Sequence, residues 1–386
     1  MKQYLDLLQS IIDNGVEKES GRANMPNTIG ISKADISMNL QDGFPLLTTK
    51  KMYWKGIVHE LLFFLRGDTN IKYLVDNNVN IWNSDAYRWY LKQHDDNIKR
   101  LESIFDDKSR IDYTVDFPTI DDFVSEIKNN DIDRYHIFNT EYILGDLGKV
   151  YGYQWRNQNG VDQVKNVIEG LKNNPYSRYH IIDGWNVVDF PEMALPPCHL
   201  LYQFIVRPLT IQERYDIYKK ADGLKAILGY SVYPTSAYVS ENGEVDIIGE
   251  PIDYIYTEDD IRILDNNNVP KFYLDLNMYQ RSVDSALGCP YNIASMSLLL
   301  MIFAKASNMI AGVANWIGGD THLYVTHVET AKEQLKRTTF PLPTMKINKE
   351  LNNLEDILNL SISDFEINNY IYHPTIIYEL FVGLKK

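Results

Sequence analysis

Apolar residues recur along this chain at intervals that separate helices from strands. Trp54, Ile57, Val58, Leu61, Leu62 and Leu65 fall every three or four residues and predict an amphipathic helix with one buried stripe. Glu60 lies off that stripe, so packing of this helix alone does not confine it. Gly67-Asp68-Thr69-Asn70 stops the helix and caps the next one. Similar spacing predicts a helix over Tyr4 to Asp13, with Asn14-Gly15 as its stop, and another through Val164, Val167, Ile168 and Leu171, stopped by Asn173-Asn174-Pro175. Met296 to Ala304 is apolar on every side, which reads as a buried helix and is short of the ~20 residues that span a bilayer. Leu200 to Val206 reads as a strand. Strands and helices in this irregular order predict an α+β fold, a large mixed sheet with helices packed on it.

At 386 residues the chain is long enough for one domain with insertions or for two, and two stretches look like additions to a compact core. One, at about 87–147, is rich in Asp, Asn, Lys and Tyr, with a short helical pattern from Ile120 to Ile127. The other, at about 208–272, carries strand-like fragments, Tyr230 to Val239 and Val245 to Tyr256, with Glu241-Asn242-Gly243 as a hairpin turn. A net charge of −14 argues against a nucleic-acid or anionic-membrane surface, and leaves room for a small anion held by a few converging arginines. Two cysteines, Cys198 and Cys289, make no disulfide framework and fit a reducing compartment. Met1 to Asp6 lacks the apolar core of a signal peptide, so a cytoplasmic location is expected.

Chemistry concentrates at Pro196-Pro197-Cys198-His199, just ahead of the Leu200 strand, where a rigid proline pair can aim a thiol outward. A thiolate is a strong nucleophile that needs no metal. Around it in sequence stand Gln41-Asp42-Gly43-Phe44-Pro45-Leu46, His59-Glu60-Leu61-Leu62, Gly67 to Asn70, Tyr151-Gly152-Tyr153-Gln154-Trp155-Arg156 and Ala194 to His199. Later come Tyr279-Gln280-Arg281-Ser282-Val283-Asp284, Gly288-Cys289-Pro290-Tyr291-Asn292-Ile293-Ala294 and Gly318 to Tyr324. These eight runs, in this order, resemble the thymidylate synthase family, which includes phage deoxypyrimidine hydroxymethylases. The resemblance covers the chain outside the two insertions and implies a single catalytic domain over 1–386, with both insertions at its periphery.

The resemblance implies a chemistry in which a cysteine adds to C6 of a uracil nucleotide, so that C5 can capture a one-carbon unit from 5,10-methylenetetrahydrofolate, the co-substrate. It matches Cys198 to the nucleophile, Arg281 to a group lowering the thiol pKa and contacting phosphate, and Glu60 to the organiser of water and proton transfer. Tyr151 matches the tyrosine near the reacting centre, and Asp284 a catalytic, ring-ordering position. Arg22, Arg178, Arg281 and Ser282 would hold the phosphate. His322 and Tyr324 would bind the sugar 3′-hydroxyl, and the Asn292 amide would pair with uracil, favouring dUMP over dCMP. Ile81, Trp82, Asp85, Asp284, Leu287, Gly288 and Tyr291 match folate-facing positions. The family pattern also implies a homodimer through the sheet face, with Arg178 reaching the partner's site, and no metal.

Several positions depart from the family pattern. Asp85 stands where a second tryptophan belongs, Tyr179 replaces an arginine, Tyr53 replaces a basic or histidine residue, and the tail ends Leu380-Phe381-Val382-Gly383-Leu384-Lys385-Lys386. A folate loosened at Asp85 and a tail that admits solvent would let water trap the exocyclic methylene. The expected product is therefore 5-hydroxymethyl-dUMP, made by a deoxyuridylate hydroxymethyltransferase; a phage that replaces thymine in its DNA would be a natural owner, and the enzyme would then act in the host cytoplasm. The alternative is thymidylate synthesis, with hydride from folate giving dTMP and dihydrofolate. A non-catalytic nucleotide sensor or RNA-binding regulator is a minor alternative, disfavoured by Cys198, Glu60 and Asn292 occurring together and by the acidic balance.

Overall fold

The computed structural model describes residues 1–21, 25–105, 117–129, 134–137, 140–222, 230–232, 237–239, 245–247 and 253–381. Seven strands form one sheet, in the order Val16–Lys18, Thr28–Ile31, Ile310–Tyr324, Phe272–Asp284, His199–Pro208 and Ile181–Asp183, with Ala34–Asn39 also paired to Ile310–Tyr324. Phe272–Asp284 and Ile310–Tyr324 run parallel, and the other pairings are antiparallel. This is the mixed sheet of an α+β fold.

Parallel neighbours need a long crossover. Here the crossover is the Gly288–Ala306 helix, which continues the predicted Met296–Ala304 run upstream to 19 residues. It is long and apolar enough to cross a bilayer, yet 72% of its apolar window is buried inside the protein. It lies against the two strands it connects, and Phe303 stacks on Phe204 of the cysteine strand with centroids 4.8 Å apart. The Trp54–Arg66 helix packs beside it and ends at Gly67, whose φ of 78° suits glycine. Asn70 then accepts the Lys72 backbone N–H at 2.9 Å from one residue outside the expected cap, since the N-cap of the Lys72–Asp76 helix is Ile71, which has no side-chain cap.

Alternation along the strands gives the sheet two unlike faces. Tyr202, Phe204, Leu274, Leu276, Met278 and Trp316 point into the helical layer and are buried. Ile205 and Tyr279 point the other way and are 42% and 37% exposed. On that outer face the Ser37 hydroxyl donates to Asn315 Oδ1 at 2.7 Å, and the Asn315 amide donates to Asn277 Oδ1 at 2.9 Å.

The two stretches read as insertions differ in how they pack. In the first, the Asn83–Ile104 helix begins before residue 87, and the Ile120–Asn129 helix buries Phe123 and Ile127 in the main core. In the second, Ile211–Asp222 and Glu258–Asn266 share a small cluster of their own around Leu264 and Val269. Two short antiparallel pairs fall on the strand-like fragments, Tyr230–Val232 with Asp253–Ile255 and, between them in sequence, Ala237–Val239 with Val245–Ile247. The Glu241-Asn242-Gly243 turn lies outside the described residues.

Candidate active site

Strand register assembles the site. Ser282 pairs with Asp320 and Asp284 with His322 across the parallel strands, so their carboxyl ends finish together. The cysteine strand runs antiparallel, and a bulge between Tyr279 and Gln280 places Gln280 opposite His199. Cys198 therefore lies at the same sheet edge. A cavity of about 630 Å³ opens there, lined by Glu60, Ile81, Cys198, Ser282, Asp284, Leu287, Gly288, Tyr291, Asn292, His322 and Tyr324 among the residues singled out from sequence.

The Cys198 loop is tied at several atoms. The Cys198 N–H donates to the Tyr151 hydroxyl at 2.7 Å, and the Cys198 carbonyl accepts the Arg281 backbone N–H at 2.9 Å. Arg281 spends its guanidinium on the same loop, donating from Nε to the Pro197 carbonyl at 2.8 Å and from Nη2 to the Pro196 carbonyl at 2.9 Å. Tyr151 is itself buried, and burial, with the nearby Cys198 second, raises its phenol pKa. Neither Arg281 nor Tyr151 lines the cavity; both support the loop from behind.

Glu60 reaches into the cavity from the Trp54–Arg66 helix. Burial raises its carboxyl to about 7, against a smaller lowering by the Trp82 indole, which donates to Oε1 at 2.9 Å. Trp82 thus touches Glu60 without lining the cavity, whereas Ile81 lines it. His199 is held near 4 by burial, partly offset by its hydrogen bond with the Asn292 side chain, and is neutral at pH 7. Its Nδ1 meets the Tyr202 hydroxyl at 3.0 Å. The Asp284 carboxylate accepts the N–H groups of Ala286 and Leu287, which fixes the turn into the Gly288–Ala306 helix.

Asp85 and Arg178 do not line the cavity either. Asp85 opens the Asn83–Ile104 helix and pairs with Arg88. Arg178 is exposed, next to Tyr179, which is 90% exposed. Arg22 lies outside the described residues, although Lys18 to Gly21 line the cavity just before it. The cavity also takes in residues not singled out from sequence as ligands, among them Lys18, Thr28, Tyr53, Asp320 and Phe381. Lys18 pairs with Asp320 at 2.9 Å, and Asp320 lies inside the Gly318–Tyr324 run, which was its available signal.

The tail docks beside this opening. His327 Nε2 meets the Glu379 carbonyl at 2.9 Å, and the Tyr378 hydroxyl donates to Gln334 Oε1 at 2.7 Å. Phe381 packs on Tyr324 with centroids 4.7 Å apart and stacks on His327. Leu380 and Phe381 become part of the cavity wall. Beyond Phe381 the tail lies outside the described residues.

The thymidylate synthase family model matches residues 2–220 and 262–382. The chain belongs to the thymidylate synthase family. It is 36% identical over 376 residues to the thymidylate synthase of Malacoplasma penetrans, covering 97% of this chain and 98% of that one. It is 35% identical over 384 residues to that of Mesoplasma florum, covering 99% and 100%. The thymidylate synthase of Mycoplasma mobile is 36% identical over 376 residues, covering 97% and 98%. The family model runs unbroken through the first stretch read as an insertion and leaves out 221–261 of the second. A thymidylate synthase-family enzyme of this kind is a one-carbon transferase. None of the three relatives is named a hydroxymethylase, and the phage and hydroxymethyltransferase expectations find no support in them.

Proposed function

We propose that this enzyme converts dUMP to dTMP, taking the carbon and the hydride from 5,10-methylenetetrahydrofolate. What carries the reading is similarity along the whole chain to proteins named thymidylate synthase. The geometry agrees with it on both grounds that had favoured water as the trap. Asp85 is paired with Arg88 and off the cavity, so it offers no water-holding carboxylate at the folate face. Phe381 is seated on Tyr324 and His327, so the tail supplies an apolar part of the cavity wall. A wall that screens the methylene from water favours hydride transfer over hydration.

The cavity suits a nucleotide beside a flat ring system, since Ile57, Ile81, Leu287, Tyr291 and Phe381 offer apolar wall and Asn292 and Ser282 offer polar contacts. The folate supplies a one-carbon unit and a hydride when bound. The Cys198 sulfur forms its bond to C6, and the ring's electron pair moves to C5. The Asn292 amide donates to O4 and accepts from N3–H, which orients uracil and rejects cytosine. Glu60, titrating near 7, is poised both to hold and to release a proton at the far side of the ring. His322 and Tyr324 take the sugar 3′-hydroxyl, and Ser282 with Arg22 takes phosphate. Arg178, exposed and away from its own cavity, serves the partner's phosphate in a homodimer.

Incubation with dUMP and methylenetetrahydrofolate tests the product. A near-ultraviolet absorbance rise from dihydrofolate, with dTMP by chromatography, is the expected result. Tetrahydrofolate release with 5-hydroxymethyl-dUMP instead would overturn the reading.

A further inference from the structure

Tyr151, whose hydroxyl takes the Cys198 N–H, follows directly on a segment strapped to the loop that leads into the cysteine. The Lys149 N–H donates to the Glu192 carbonyl and the Ala194 N–H to the Leu147 carbonyl, each at 2.9 Å. Gly148 opposes Met193 in this strap with a φ of 70°, and a Cβ there would lie 2.0 Å from the Glu192 carbonyl oxygen. Only glycine fits.

One carboxylate joins the parts of this strap. Asp189, 5% exposed, accepts the Lys149 ammonium at 2.9 Å on Oδ1. On Oδ2 it accepts the amides of Gln154 at 2.9 Å and Asn186 at 2.8 Å. Gln154 is fully buried on the Tyr151–Asn157 helix, one turn after Tyr151, and it also donates to the Lys149 carbonyl at 3.0 Å. The Lys149 ammonium reaches Glu192 at 3.1 Å as well. Asp189 thereby locks the 186–194 stretch of the cysteine loop to the helix whose first residue fixes the Cys198 amide.

We propose that Asp189 is a positioning residue for the nucleophile, holding Cys198 at its attack geometry through the Tyr151 helix without touching substrate. The proposal rests on Cys198 being the nucleophile. Buried donors satisfied by one carboxylate lose their common acceptor when it is replaced, and the loop they fix is then free to shift. A displacement near 1 Å at a reacting atom costs about 10²-fold in rate. Binding of dUMP, which uses other side chains, is spared.

The test is Asp189→Asn, with Asp189→Glu as the conservative variant, in the full chain. Asp189→Asn is expected to lower kcat and the rate of covalent trapping by 5-fluoro-dUMP and folate together, by about tenfold or more, with KM for dUMP within about twofold. Iodoacetamide is expected to modify Cys198 about threefold faster, because a loosened loop exposes the thiol. Asp189→Glu should restore part of both rates. A folded Asp189→Asn protein with parental trapping and alkylation rates overturns the proposal, as does a lowered Tm with kcat unchanged. If Asp189→Asn does not fold, Lys149→Met removes one donor alone, and unchanged alkylation in that variant equally overturns it. Failure of the parent protein to form any 5-fluoro-dUMP adduct would instead sink the proposed function, and the alkylation comparison would still stand.

Discussion

Trp82 donates its indole N–H to Glu60 at 2.9 Å, and the carboxyl it meets is buried far enough to titrate near 7. The indole favours the charged form and burial disfavours it, so the balance sets the proton's availability. Trp82→Phe removes the lowering contribution, and the Glu60 limb of the pH–kcat/KM profile should move to higher pH. An unmoved limb would separate Trp82 from that titration.

The same shift has a consequence for stability. A carboxyl whose pKa is higher folded than unfolded binds its proton more tightly in the native state. Stability from this site is full below the unfolded value and is lost as pH rises through about 7. Glu60→Gln should therefore raise stability by about 1–3 kcal/mol at pH 8 relative to pH 4, while lowering kcat by about 10²–10⁴-fold. Denaturant titrations at the two pH values check the sign.

Cys198→Ser should abolish tritium release from C5-labelled dUMP and reduce turnover by at least about 10³-fold. Cys289 is fully buried, and burial drives its thiol pKa up, so it supplies no substitute nucleophile. Mass spectrometry after 5-fluoro-dUMP trapping should find the adduct on the Cys198 peptide alone.

Phe381→Ala uncovers the cavity where the side chain now packs on Tyr324 and His327. Dihydrofolate formation should fall, and a measurable share of turnover should appear as 5-hydroxymethyl-dUMP, because water then reaches the methylene. Product ratios by chromatography decide it; unchanged partitioning would show that the tail does not exclude the water.

Arg178→Ala should weaken phosphate binding and raise KM for dUMP by about 10-fold or more. Mixing it with Cys198→Ser and allowing subunits to exchange should recover up to about a quarter of parental activity, since half of the dimers then carry one intact site of two. No recovery would mean that Arg178 serves its own subunit.

Short-range periodicity predicted the helices well. The Trp54 stripe became Trp54–Arg66 with its glycine stop, and Val164 to Leu171 became Gln163–Asn173. Residue identity marked the contents of the cavity, because a thiol, a carboxyl and an amide stood in family-like runs. What stayed hidden depends on pairings far apart in sequence. Nothing near Arg281 indicates that its guanidinium would be committed to Pro196 and Pro197, and nothing near Lys18 indicates Asp320. The tail was the largest surprise. Its composition departs from the family pattern, yet it docks through backbone carbonyls and aromatic faces that tolerate such change.

Sealing Cys289 inside the core leaves one thiol, that of Cys198, partly open to the medium among the described residues. A peroxide that converts Cys198 to its sulfenic acid meets no neighbour able to capture it as an internal disulfide. Repair must then come from small thiols in the surroundings, and without them oxidation runs on to the irreversible acids. Any activity that depends on Cys198 is thus tied to the reducing capacity of its surroundings.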